Sequence, residues 1–237
     1  MTIHRTNIRR GVLRLLPLAA TIAISTTATA AQSPNAAPLS AAQRRAMLAN
    51  PAHVFWKAKA PDTVTIDVET SKGALTIELI REWAPRGVDR FYNLARAGYF
   101  DDSRFYRVIP YYIAQFGLAG NPSLASLWRG IKIRADSLRT QNLRGTLTYA
   151  QYNPRDRATD VFINLRDNAN LDSLHFAPIG RVTEGMEVAD SLYAGYGDIP
   201  SLPPPMGNPR RLYGESNKYL DKEFPKLDHI VSIKIRP

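Results

Sequence analysis

The stretch Ser103-Arg104-Phe105-Tyr106-Arg107-Val108-Ile109-Pro110-Tyr111-Tyr112-Ile113-Ala114-Gln115-Phe116-Gly117 sets a guanidinium inside an apolar run. If residues 105–109 form a strand, period two puts Arg107 on one face with Phe105 and Ile109. An arginine among large apolar neighbours needs a partner or an opening to water. Two readings stay open on these residues alone. Arg107 either snorkels at the rim of a sheet or lines a groove, with Tyr112, Ile113 and Gln115 beside it.

Working outward, the flanking segments read as a β-rich domain. Upstream, Val64, Ile66 and Val68 alternate with Thr65, Asp67 and Glu69, and Leu75, Ile77 and Leu79 repeat the pattern after the turn Ser71-Lys72-Gly73. That is a hairpin. Pro85 opens an amphipathic helix with Val88, Phe91 and Leu94 at helical spacing, and Gly98 stands where a C-terminal cap belongs. Downstream, residues 145–150, 161–165 and 179–182 are short apolar stretches bounded by Gly, Pro, Asn or Asp. Residues 184–193 read as a second helix, and residues 230–235 alternate as a final strand. Residues 215–224 offer a further helix, capped by Ser216 or Asn217. Pro203-Pro204-Pro205 marks an extended loop. Many short strands with two helices predict a mainly β domain, a closed antiparallel barrel with two flanking helices.

The chain before this domain has a different character. Residues 1–14 are basic, residues 15–24 are a short apolar run, and Ala28-Thr29-Ala30 offers small residues for cleavage. This is the three-part pattern of a signal peptide over residues 1–31, so the protein is expected to be exported, periplasmic or secreted. Arg9-Arg10 fits either an ordinary basic region or a twin-arginine signal. The apolar run is short for a membrane span, so no stable insertion is expected after cleavage. Residues 32–61 read as a linker with a short helix, opened by the capping box Ser40-Ala41-Ala42-Gln43 and ended at Asn50-Pro51. The domain proper is expected over residues 62–237, with a C-terminal extension and the last strand.

Composition narrows the chemistry. There is no cysteine, which excludes disulfides, thiolate metal sites and a thiol nucleophile. His4, His53, His175 and His229 stand far apart, so no metal site is expected. The net charge of +10 includes four arginines of the leader, and the remaining basic residues are scattered. Nucleic acid is therefore not an expected partner.

Several stretches together resemble the cyclophilins. They are Ser103 to Pro110 with Gln115 and Gly117, the upstream Ala84-Pro85-Arg86-Gly87-Val88-Asp89-Arg90-Phe91, and Gly145-Thr146-Leu147-Thr148-Tyr149-Ala150-Gln151. Thr159-Asp160-Val161-Phe162-Ile163, Leu171-Asp172, Phe176-Ala177-Pro178-Ile179-Gly180-Arg181-Val182 and Gly185-Met186 follow in family order. The resemblance implies an eight-stranded cyclophilin-like barrel and peptidyl-prolyl cis-trans isomerase activity on proline-containing polypeptides, without cofactor. It implies that Arg107 is the catalytic arginine and that Gln115 orients it. Tyr112, Ile113, Phe162 and Leu171 would line a proline pocket, and Ala150 and Gln151 would contact the substrate main chain. This sequence departs from the pattern at four places. Asp160 stands for a glutamine, Asn170 for a tryptophan, Phe116 for a glycine, and Phe176, with His175 before it, for a pocket histidine. Asp160, His175 and Phe176 are still expected at the substrate site. An active isomerase in the folding of exported proteins and a proline-segment-binding module with little turnover both fit; a monomer is expected.

Overall fold

A computed structural model of the chain describes residues 1–2, 39–153, 156–203 and 206–236. Its elements belong to the second of two units, Gln32–Pro237; of the first, Met1–Ala31, only residues 1–2 are described. The expected leader, the residues 32–38 of the linker and Pro204-Pro205 lie outside the described residues.

Helix α1, Ala41–Leu48, starts at Ser40 with both bonds of the capping box in place. Strands β1, Thr63–Thr70, and β2, Gly73–Ile80, pair in unbroken antiparallel register from Thr63↔Ile80 to Thr70↔Gly73. Gly73 takes φ 133, a conformation that favours glycine, where β2 leaves the turn. Val64, Ile66, Val68, Leu75, Ile77 and Leu79 are all buried, as the alternation predicts. Helix α2, Pro85–Arg96, buries Val88, Phe91 and Leu94. Its N-cap residue Ala84 makes no side-chain cap bond. Instead the Asp136 carboxylate accepts from the backbone N–H groups of Arg86 and Gly87, at 3.0 Å each. A negative charge there satisfies two orphan donors and faces the positive end of the helix dipole.

The remaining strands are β3, Arg107–Ile109; β4, Ile113–Phe116; β5, Thr146–Tyr149; β6, Val161–Asn164; β7, Pro178–Glu184; and β8, Ile230–Ile235. All pairings are antiparallel, and the eight strands form one sheet in the order β3-β4-β6-β5-β7-β2-β1-β8. The sheet curls into a half-barrel around the main core, with α2 packed on it. The closed barrel is corrected in this respect: β3 and β8 share no ladder. The chain just before β3 meets the start of β8 through one isolated bridge, Arg104↔His229, and three backbone bonds. In these bonds Asp102 donates to Ile230, Phe105 to Asp228 and Ile230 to Ser103, at 2.8–2.9 Å.

The helix count is corrected as well. Seven α-helices occur among the described residues rather than two flanking helices. Beyond α1 and α2 they are α3, Pro122–Arg129; α4, Ala169–Ser173; α5, Met186–Asp190; α6, Pro209–Glu215; and α7, Asn217–Glu223. Helix α3 carries an ordinary start signal, since Asn121 caps Ser123 and Leu124 and Pro122 follows it. Ser216 does sit at the N-cap of α7, but its hydroxyl donates to the Ala119 carbonyl rather than capping the helix. Helices α6 and α7 belong to the C-terminal extension. They build a second apolar cluster from Leu212, Tyr219, Leu220, Phe224 and Leu227, which takes in Tyr106 and Leu118 from beside β3 and β4 and Ile199 from the start of the extension.

Candidate active site

The short strands set opposite faces to different tasks. Arg107 pairs with Gln115 across β3 and β4, Gln115 with Phe162 across β4 and β6, and Phe162 with Thr148 across β6 and β5. Residues directly opposite one another share a face, so one row carries the guanidinium, the amide and the aromatic ring. The alternate residues Ala114, Phe116, Val161, Ile163 and Leu147 point the other way, into the main core. Phe116, one of the departures from the family pattern, thus packs on Phe105 with ring centroids 5.2 Å apart, away from the site. Phe105 also lies in that core, so it does not share a face with Arg107 as period two predicted. The strand begins only at Arg107, and the alternation does not extend back through Tyr106.

A third apolar cluster stands apart from the main core. Ile113, Phe162 and Leu171 are its buried members, with Tyr112, Ala150 and Phe176 packed against them. Phe162 and Phe176 meet with centroids 6.0 Å apart. These are six of the residues that the sequence placed at the substrate site. A buried amide network backs them. Asn168 Nδ2 donates to the Tyr112 carbonyl at 3.0 Å and to Asn164 Oδ1 at 2.7 Å. Asn142 Nδ2 donates to the Phe176 carbonyl and to Asp172 Oδ1, each at 2.8 Å. The network ties α4, which carries Leu171, to β5 and β6. Sequence reading missed these asparagines, because nothing local distinguishes a buried amide from a loop one.

Arg107 is held on two sides. Its Nη1 donates to Gln115 Oε1 at 3.3 Å, and its Nη2 lies 2.9 Å from Asp198 Oδ2. The backbones of Arg107 and Asp198 also form an isolated antiparallel bridge. The other Asp198 oxygen, Oδ1, is buried with no hydrogen bond among the described residues. Gln115 Nε2 donates to the Tyr106 hydroxyl at 2.6 Å, and that hydroxyl donates to Asp160 Oδ1 at 2.6 Å. Asp160 is therefore the partner of Tyr106 and not of Arg107. Burial pushes the Tyr106 phenol well above its usual range and also raises the Asp160 carboxyl, against the lowering effect of the Tyr106 hydrogen bond. Neither Tyr106 nor Asp198 was singled out from the sequence.

Gln151 and His175 sit at the edge of the cluster. Gln151 Nε2 donates to the His175 carbonyl at 3.4 Å, and Gln151 Oε1 is buried with no hydrogen bond among the described residues. His175 takes φ 59 and its side chain is exposed. Asn170, where the family pattern has tryptophan, is exposed on α4. The site thus offers a cluster of ring and aliphatic side chains, a guanidinium held in the same cross-strand row, and an amide acceptor at its edge. That set can grip a small apolar ring and donate hydrogen bonds beside it, and it presents no activated nucleophile.

Comparison with known proteins bears on this arrangement. The family described as "Cyclophilin type peptidyl-prolyl cis-trans isomerase/CLD" matches residues 65–204. Peptidyl-prolyl cis-trans isomerase A of Dickeya dadantii is 33% identical over 147 residues, covering 56% of this chain and 77% of its own. A peptidyl-prolyl cis-trans isomerase of Streptomyces antibioticus is 32% identical over 156 residues, covering 59% of this chain and 93% of its own. A crystal structure of a cyclophilin-type isomerase from Cryptosporidium parvum matches with a TM-score of 0.53 at 17% identity, over 74% of this chain and 98% of that one. The same protein solved in the presence of the dipeptide Ala-Pro matches with a TM-score of 0.52, over 73% of this chain and 99% of that one.

Proposed function

Since this chain belongs to the cyclophilin-type peptidyl-prolyl cis-trans isomerases, an isomerase family, we propose that Arg107 and the cluster around Phe162 turn X-Pro bonds in exported polypeptides. The barrier to be lowered is about 18–20 kcal/mol, and it comes from loss of amide resonance as the bond twists. No covalent bond needs to break. In the twisted state the prolyl nitrogen regains a lone pair, and a guanidinium N–H aimed at it binds that state better than the planar one. Arginine suits the role because it stays charged and presents donors in a fixed fork. Tyr112, Ile113, Phe162, Leu171 and Phe176 would hold the proline ring, while Ala150 and Gln151 would hold the flanking main chain. The buried, unpaired Gln151 Oε1 supports that last assignment, because an acceptor without a partner is satisfied by a substrate N–H.

The observation that carries the reading is the cross-strand row Arg107–Gln115–Phe162, which supports a donor acting beside the apolar cluster. The test is the cis-to-trans isomerisation of an Ala-Pro-Phe peptide. The protein accelerates it, and Arg107→Ala loses most of the acceleration. A wild-type rate equal to the uncatalysed rate, or an Arg107→Ala rate equal to wild type, overturns the reading. Export rests on the leader pattern of residues 1–31; a mature N-terminus at residue 31 or 32 in a non-cytoplasmic fraction checks it. A second reading, binding of proline segments with little turnover, draws support from the ion pair of Arg107 with Asp198, which occupies part of the guanidinium. Saturable peptide binding without acceleration would favour it.

A further inference from the structure

Resting on that reading of the site, we infer that Tyr106 and Asp160 are positioning residues for the reaction, which together fix the end of the Gln115 amide that faces Arg107. Tyr106 is fully buried and has one hydroxyl proton, which it gives to Asp160 Oδ1 at 2.6 Å. Only lone pairs then remain toward Gln115, so Gln115 must present Nε2–H to the phenol, as it does at 2.6 Å. Its Oε1 is left for Arg107 Nη1. The flipped amide would set N–H against N–H at the guanidinium and carbonyl against lone pair at the phenol. An acceptor at Asp160 therefore reaches Arg107 through two side chains, and the glutamine cannot turn without breaking both bonds.

The surroundings favour this relay over a bare structural contact. Tyr106 is packed into the second apolar cluster with Leu118 and Ile199, which leaves its ring no room to swing away. Tyr106, Tyr99 and Tyr213 and the cations Arg129 and Lys132 all interact with Asp160. The two cations favour the carboxylate, but burial outweighs them and keeps its pKa above the ordinary carboxylate value. When Asp160 takes up a proton it can donate to Tyr106, which frees the Tyr106 proton to turn toward Gln115, against the productive amide, or toward the neighbouring Tyr213 hydroxyl. Acid thus disorders the relay at a higher pH than an exposed aspartate would titrate.

The test reads turnover and the amide separately. Tyr106→Phe and Asp160→Ala each lower kcat by roughly tenfold, the equivalent of one lost hydrogen bond, with little change in KM because the pocket walls are untouched. Asp160→Asn keeps an acceptor oxygen, recovers part of that loss at neutral pH, and removes the acidic limb of the kcat profile. In the wild-type protein the Gln115 side-chain amide signals shift as that limb is crossed, a measurement that stands even where a variant does not fold. Wild-type kcat in Tyr106→Phe and Asp160→Ala alongside an inactive Arg107→Ala overturns the relay alone, as does an acidic limb that survives Asp160→Asn. Full activity in Arg107→Ala overturns the reading of the site beneath it and the relay with it.

Discussion

Replacing Phe224 by alanine tests whether the C-terminal extension is part of the machine or an ornament on it. Phe224 is 1% exposed in the second apolar cluster, with its ring edge-on to Tyr196 at 5.1 Å and to Tyr219 at 5.5 Å. Removing a buried phenylalanine ring from such a site costs about 3–5 kcal/mol, made of lost transfer energy and the cavity left behind. For a domain of this size each kcal/mol is worth about 2–4 °C of melting temperature, so the variant is expected to melt about 6–20 °C lower. The same cluster contains Tyr106, which bonds Gln115, and Ile199, which adjoins Asp198. The loss should therefore also reach the isomerase rate, measured well below the melting point. Thermal unfolding followed by circular dichroism, beside the Ala-Pro-Phe assay, gives both quantities. Val231→Ala serves as control: it is 50% exposed on β8 and should change stability by less than about 0.5 kcal/mol. A melting temperature for Phe224→Ala within about 2 °C of wild type, less than 1 kcal/mol on the same scale, refutes the argument. So does an early melting step of the extension that leaves the sheet and the rate intact.

Asp198→Ala should lower kcat/KM roughly fivefold, since a partly exposed pair that orients a guanidinium is worth about 1 kcal/mol; a faster enzyme would mean that the pair restrains Arg107 instead of presenting it. Asp136→Ala should destabilise by about 3–5 kcal/mol in urea unfolding, because it strands the buried Arg157 charge and uncaps α2 as well. Gly117→Ala should lose both stability and rate: at φ 124 the added Cβ would lie 2.4 Å from the Thr159 carbonyl and 2.7 Å from Asp160 Cα, pushing β6 and the Tyr106 partner outward.

The elements read correctly from the sequence are those whose signal is local. The β1–β2 hairpin is written in alternation, α1 in its capping box, and α2 in its Pro85 start and Gly98 stop. The apolar walls of the site were legible only through the resemblance, and the structure gathers Ile113, Phe162, Leu171, Tyr112, Ala150 and Phe176 into one cluster. Residues that act across the chain left no such trace. Asp198 meets Arg107 because the extension folds back through the cluster around Ile199, and a charge pair distant in sequence has no periodicity to betray it. A strand starting at Phe105 gives Tyr106 no role beside Arg107, whereas the strand begins only at Arg107 and the Tyr106 hydroxyl meets Gln115. Asp160 looked like a substituted substrate contact, and only the geometry gives its bond to Tyr106. Helices α3 and α6 each begin at an Asn-Pro pair that could have been read as cap and first turn.

Among the described residues the first and last strands are neighbours. β8 lies on β1, and the start of β8 also holds the chain just ahead of β3. That places a constraint on time as well as on shape. A chain made or threaded from its N-terminus presents Arg107 while Asp198 and β8 are still to come. Until Asp198 and residues 212–227 arrive, the guanidinium lacks its carboxylate and Tyr106 most of its apolar neighbours, and until residues 230–235 follow, β1 keeps an open edge. Long-range closures of this kind are slow, and open edges invite pairing with other chains. A product cut short before β8 thus holds Arg107 and its carboxylate in a sheet whose β1 edge is still open to other chains.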